Sequence, residues 1–237
     1  LHSSVASAIE TAPWGTTEES AGLLAYHCEA AGRVVEAAMH LRRAALWVGR
    51  TNSSQAMAEW KKVRWLLRDQ GSDAGVDQLR ALASGRVLGF AWSEGLSADD
   101  VKPYAEEALQ YARATGDRKH EALLLGAYGR VFAASGAADD YVGLARQGVA
   151  TAEAIGDRDV FVACNAQLCQ AYLLAGYLRE SLVANDTAVA ADIEQSGAES
   201  DVVFGLNASQ IFGFDVGQWL RCMRTRALVL IGQFDAA

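Results

Sequence analysis

Proline is almost missing from this chain. Only Pro13 and Pro103 occur in 237 residues, so little in the sequence forces a helix to end. Lysine is scarce as well. Four Lys stand against seventeen Arg, and with much Ala and Gly this usage points to a GC-rich bacterial genome. Runs of Ile, Val and Thr, which mark strands, are few. Nowhere do 18 apolar residues run together, so no membrane-spanning helix is expected. No signal-peptide pattern opens the chain, and a cytoplasmic location is expected. Basic charge is also short. Lys and Arg total 21 against 29 acidic residues, a net charge of −8, which repels phosphate backbones and excludes nucleic acid as an expected partner.

Cysteine is too sparse for a disulfide scaffold, which is short, dense and secreted. Cys28, Cys164, Cys169 and Cys222 are scattered through helical stretches, and all four are expected as small core residues in a reducing cytosol. The triplets Asn52-Ser53-Ser54 and Asn207-Ala208-Ser209 fit the glycosylation pattern but carry no weight in a cytosolic chain.

Apolar residues are plentiful, at 51%, and Ala, the best helix former, supplies much of that share. The stretch "ARATGDR" at 112–118 returns as "AEAIGDR" at 152–158, 40 residues on. Gly95, Gly136 and Gly176 keep nearly the same period, spaced 41 and 40, and Gly32 and Gly232 have similar surroundings off that ruler. An apolar helix precedes each glycine (Leu82–Trp92, Leu123–Ala133, Val162–Leu174, Leu220–Ile231), and an Ala-rich amphipathic stretch follows. Glycine takes the left-handed helix-ending conformation without steric cost. Asp117 and Asp157 stand where a carboxylate caps the next helix. "TGDR" and "IGDR" therefore read as stop–start signals between helical hairpins. Thr16 with Glu19, and Ser97 with Asp100, read as capping boxes.

These signals give about twelve helices, near 2–12, 17–31, 33–49, 53–69, 76–94, 98–115, 117–135, 137–155, 157–175, 177–196, 201–216 in one or two pieces, and 218–231. A lone hairpin cannot bury its apolar face, whereas stacked hairpins share a continuous core. The expected fold is all-α, a right-handed superhelix of stacked antiparallel hairpins in one domain over 1–237. Within it, 1–16 reads as a connector helix, 17–196 as hairpins, 197–217 as an apolar insertion and 218–237 as the start of a truncated repeat. The first residue is Leu1 and the first Met is Met39, so a piece of a longer polypeptide is expected. The insertion stretches the spacing from Gly176 to Gly232 to 56 residues and carries Phe204, Ile211, Phe212 and Phe214. It reads either as extra helix completing the core or as apolar surface for a partner.

The small–large pattern around these glycines resembles the tetratricopeptide repeat. Tyr172 precedes Gly176 by four residues, Phe132 precedes Gly136 with Gly129 three further back, and Ala37, Leu41, Ala44 and Ala45 follow Gly32. The N-terminal third resembles a recurring segment of large bacterial regulators that carry a signal-transduction ATPase module, often beside a nucleotide cyclase or a LuxR-type DNA-binding domain. The residues are Leu1, His2, Val5, Ala6, Leu24, Ala25, Tyr26, His27, Ala31 and Gly32. The resemblance implies a helical-repeat arm of such a regulator, one that binds a protein or peptide partner, a neighbouring domain, or a small-molecule inducer. No Walker motif or cyclase residue is present, so those activities are not expected here.

Little else reads as chemistry. His2, His27, His40 and His120 lie on different helices without metal-ligand spacing, and neither a metal nor a cofactor is expected. Glu18–Glu19, Glu106–Glu107 and Asp139–Asp140 read as acids in first helical turns, where they favour the helix dipole. No nucleophile or acid–base pair stands out, and no enzymatic activity is expected. The inward positions implied by the repeat are Tyr26, Glu29, Gly89, Trp92, Arg130, Gln170, Trp219 and Arg226, with Gly85, Gly126 and Ala166 leaving room beside them. Polar groups beside aromatics suit a ligand or peptide groove. The competing reading makes Trp92 and Trp219 core and pairs Arg130 and Arg226 with acids on neighbouring helices.

Overall fold

The computed structural model describes residues 1–12, 14, 17–71, 73–195 and 216–236. Among them the chain is all-α: no strand occurs, and eleven α-helices follow one another along the chain. They are α1 (His2–Thr11), α2 (Ala21–Ala30), α3 (Val34–Val48), α4 (Ser53–Leu67), α5 (Ala74–Ala91) and α6 (Ala98–Thr115). Then come α7 (Arg118–Ala134), α8 (Ala138–Ile155), α9 (Arg158–Ala175), α10 (Leu178–Gln195) and α11 (Val216–Ile231), with a 3-10 turn at Phe234–Ala236. The apolar insertion expected at 197–217 lies outside the described residues except for Val216 and Gly217, which open α11.

The described chain forms two compact units. One comprises Leu1–Leu96 with Val101–Tyr111, the other Ser97–Asp100 with Ala112 onward.

The helix boundaries follow the local chemistry. Among the described residues seven glycines have positive φ, and they are the seven read as helix stops: Gly32, Gly95, Gly116, Gly136, Gly156, Gly176 and Gly232. Gly116 and Gly156 close α6 and α8 at φ 70° and 72°. Asp117 then accepts from the His120 N–H at 3.0 Å and Asp157 from the Val160 N–H at 3.0 Å. Ser97 and Asp100 form the expected reciprocal box at the start of α6. The start of α2 differs from expectation. Thr16 is outside the described residues, and residues 17–20 form a turn in which Ser20 Oγ donates to the Thr17 carbonyl (2.8 Å), so the helix begins at Ala21. Glu18 and Glu19 therefore precede a helix. Glu106 and Glu107 lie in the middle of α6, where Glu107 accepts from Arg64 Nε at 2.6 Å and from the Ser84 hydroxyl, so neither pair sits in a first turn.

The two caps carry a pH dependence. His120 holds the Asp117 carboxyl below its ordinary value of 3.8. Burial works to raise Asp157, but the Lys119 ammonium, 2.5 Å away, and the cap N–H groups outweigh it and hold it low. A depressed carboxyl stabilises the fold above its unfolded value and loses that contribution as pH falls through the folded one. Asp157→Ala is expected to cost about 1 kcal/mol at neutral pH. It should also flatten the loss of stability below pH 3.8, measured by urea unfolding at several pH values.

In the first unit α1, α2, α3, α4 and α5 pack in succession around Trp60, Val63, Leu67, Leu41 and Cys28. In the second, α9 is the central element. No charged residue lies between Asp159 and Arg179, so the helix is apolar on every side. Every residue from Val162 to Leu173 is buried, and α9 touches α7, α8, α10 and α11. Its buried amides find partners within the helix and across to α7: Asn165 donates to the Phe161 carbonyl (3.0 Å) and Gln167 to the Leu123 carbonyl (3.4 Å).

Candidate functional site

In the second unit, α7, α9 and α11 are the helices that precede the turn glycines Gly136, Gly176 and Gly232, and α9 packs against both of the others. Three of the inward residues read from the sequence come together on them. The Arg130 guanidinium of α7 lies 5.9 Å from the Trp219 ring of α11, within cation–π range. Tyr141, at the start of α8, joins Arg130 to Gln170. It is fully buried, and its hydroxyl donates to Gln170 Oε1 at 3.2 Å. Burial pushes the Tyr141 hydroxyl up to about 12 even though the charge and hydrogen bond of Arg130 act to lower it, so Tyr141 remains a neutral donor.

Exposure separates the members of this cluster. Gln170 is only 9% exposed and belongs to the packed interior, whereas Arg130 and Trp219 are half-buried. Arg226 is exposed on α11. Leu174, one turn beyond Gln170, is 40% exposed, and Leu230, one turn beyond Arg226, is 62% exposed. The room expected at Gly126 and Ala166 is already filled. A Cβ on Gly126 would lie 2.0 Å from Gln167 Oε1, and Ala166 has no exposed surface. These small residues let helices approach, and they leave no ligand space.

In the first unit the inward residues are dispersed among local partners. Tyr26 is 56% exposed and its ring meets those of His2 and His27 at 5.8 and 5.2 Å. Glu29 pairs with Lys62 at 2.7 Å. Trp92 follows the last residue of α5 and is 41% exposed. A Cβ on Gly89 would meet open space.

Sequence reading missed Tyr141. Its signal was the apolar face that it opens on α8 with Val142, Ala145 and Gly148, a face hidden within an Ala-rich amphipathic stretch. A second aromatic–cation contact also went unread: Arg146 Nε donates to the Tyr172 hydroxyl at 2.9 Å, and Tyr177 donates to Asp139 at 2.9 Å. Cys28, Cys164 and Cys169 are buried as expected, but Cys222 is exposed, because it lies beside Arg221 on the face of α11 opposite Leu220 and Met223. Placement on different helices does not keep the histidines apart. His2 Nδ1 and His27 Nδ1 are 3.0 Å apart, and His40 approaches Glu10 at 3.7 Å.

No helix among the described residues is long and apolar enough to cross a membrane. No protein-family model and no curated sequence matches the chain. Among solved structures, the crystal structure of BtubC (BKLC) from P. vanneervenii is similar over 100% of this chain and 86% of its own, with a TM-score of 0.57 at 14% identity. At that identity the likeness is one of fold alone.

Proposed function

We propose that this chain is a non-catalytic arm of a multidomain bacterial regulator, and that its second unit binds a protein segment on the face formed by α7, α9 and α11. The observation that carries this reading is the meeting of Arg130 and Trp219, two large amphipathic side chains left half-buried at the surface of an otherwise closed core. Arg and Trp are the residue types that anchor interfaces. Exposed Leu174, Val229 and Leu230 continue the face with apolar surface, and Arg226 adds a second guanidinium. In a chain of net charge −8, guanidiniums on a face with exposed apolar groups select a carboxylate-bearing, apolar segment. The segment belongs to a partner or to a neighbouring domain of the parent, which the N-terminal resemblance makes an ATPase, cyclase or DNA-binding regulator.

A peptide-display selection against the full chain tests this. Enriched sequences should combine an acidic residue with Leu, Ile or Phe, and binding should weaken with added salt. Selection of basic or purely polar peptides would contradict the reading. The non-catalytic part is tested by assaying the chain for nucleotide hydrolysis and cyclisation. Robust turnover lost on replacing one acidic residue would overturn it.

A further inference from the structure

Three helices of the first unit each bring one metal-binding side chain to a common point. Glu10 comes from the last turn of α1, Cys28 from the last turn of α2 and His40 from the middle of α3. One ligand atom from each lies within 4.8 Å of the others. Intervals of 18 and 12 residues hide this set from any motif search. We propose that Glu10, Cys28 and His40 form a binding site for a borderline divalent cation of the Zn²⁺ type, with the fourth coordination position open.

The donor set fits that class of ion. Thiolate, imidazole and carboxylate are the three protein ligands of zinc, and three such ligands with an open position make a site that takes water or an incoming group. Metal–ligand bonds of about 2.0–2.3 Å place tetrahedral ligands roughly 3.3–3.8 Å apart. Glu10 and His40 already stand at 3.7 Å, so closing the site takes a movement of no more than about 1 Å by the remaining ligand.

His40 presents Nε2 to Glu10, and an imidazole nitrogen whose lone pair faces the common point is a zinc ligand. Arg33 stands beside Glu10. It contacts Glu10 at 3.1 Å but is held more closely by Glu36, through Nε at 3.0 Å and through a second contact from its NH2 group. Cys28 binds as thiolate and its proton passes to solvent. Bound metal would tie α1 to α2 and α3.

Cobalt titration of the full chain tests the proposal, carried out in a Cys222→Ser background so that the exposed thiol contributes nothing. One Co²⁺ per chain should bind with a thiolate-to-cobalt charge-transfer band and tetrahedral visible absorption, both displaced by Zn²⁺. Glu10→Gln and His40→Ala should each weaken binding at least about tenfold. Thermal melts of the metal-free variants check that they remain folded. Cys28→Ser should abolish the charge-transfer band, and His2→Ala should leave it unchanged. Absence of the band, its survival in Cys28→Ser, unchanged affinity in both folded Glu10 and His40 variants, or its loss in His2→Ala would each overturn the site.

Discussion

Trp60→Ala should destabilise the chain by about 3–5 kcal/mol, the cost of emptying a buried aromatic site. Trp60 is 1% exposed and sits in the core that α2, α3, α4 and α5 build in the first unit. The same core holds Leu41, Val63 and Leu67 together with Cys28, Ala37, Ala38 and Ala45, none of which can replace the volume of an indole. Trp65, five residues along the same helix, supplies the control. It is 53% exposed, and the Arg68 guanidinium lies 4.0 Å from its ring centre. Trp65→Ala should cost no more than about 1 kcal/mol. Urea unfolding followed by circular dichroism measures both. Comparable losses for the two variants would mean that α4 does not pack with the described face inward.

Gly129→Val should cost about 3 kcal/mol or more, at the top of the range for overpacking a closed core. A Cβ there would lie 2.5 Å from Cδ2 of Tyr141 and 3.2 Å from both the Tyr141 Cα and the Leu144 Cβ. Neither contact is with the loose end of a flexible side chain. Tyr141 has no exposed surface and is held by Gln170, so the ring cannot swing away and α7 and α8 must separate. Gly143, on the same helix as Tyr141, has nothing within 4 Å of an added Cβ. Gly143→Ala should therefore stabilise by about 0.5–1 kcal/mol through helix propensity alone. Opposite signs from two helical glycines are the expected result. A neutral Gly129→Val would show that α7 and α8 do not approach so closely.

What was legible in the sequence was local. A left-handed glycine and the aspartate that follows it act within four residues, so Gly116–Asp117 and Gly156–Asp157 announced their hairpins before any tertiary contact was known. The all-α class followed from those stops and from the lack of proline. What was not legible depends on packing between distant elements. Tyr141 looks like an ordinary residue of an Ala-rich helix until Gly129 admits its ring against α7. Gln170 reads as an inward polar group, yet the uncharged run from Val160 to Leu178 draws α9 from Val162 to Leu173 into the core. Glu107 reads as a helix-terminal acid, yet it meets Arg64 across 43 residues. Cys222 fails as a core residue because its position on α11 faces away from Leu220 and Met223, a matter of helix rotation that composition does not reveal.

The central claim is that Arg130 belongs to a binding face and is not a structural tie. The decisive measurement is the thermal melt of Arg130→Ala, combined with its affinity for an acidic, apolar peptide selected on the native chain. Arg130 interacts with the Tyr141 hydroxyl and the Trp219 ring, but Tyr141 keeps Gln170 as a partner when Arg130 is gone. Loss of one hydrogen bond that leaves no group unpaired costs about 1 kcal/mol. The melting temperature should therefore fall by about 2–4 °C, while peptide affinity falls at least about tenfold with the loss of a charge-assisted contact. A fall of 10 °C or more with peptide affinity unchanged would contradict the account and make Arg130 part of the core's own architecture.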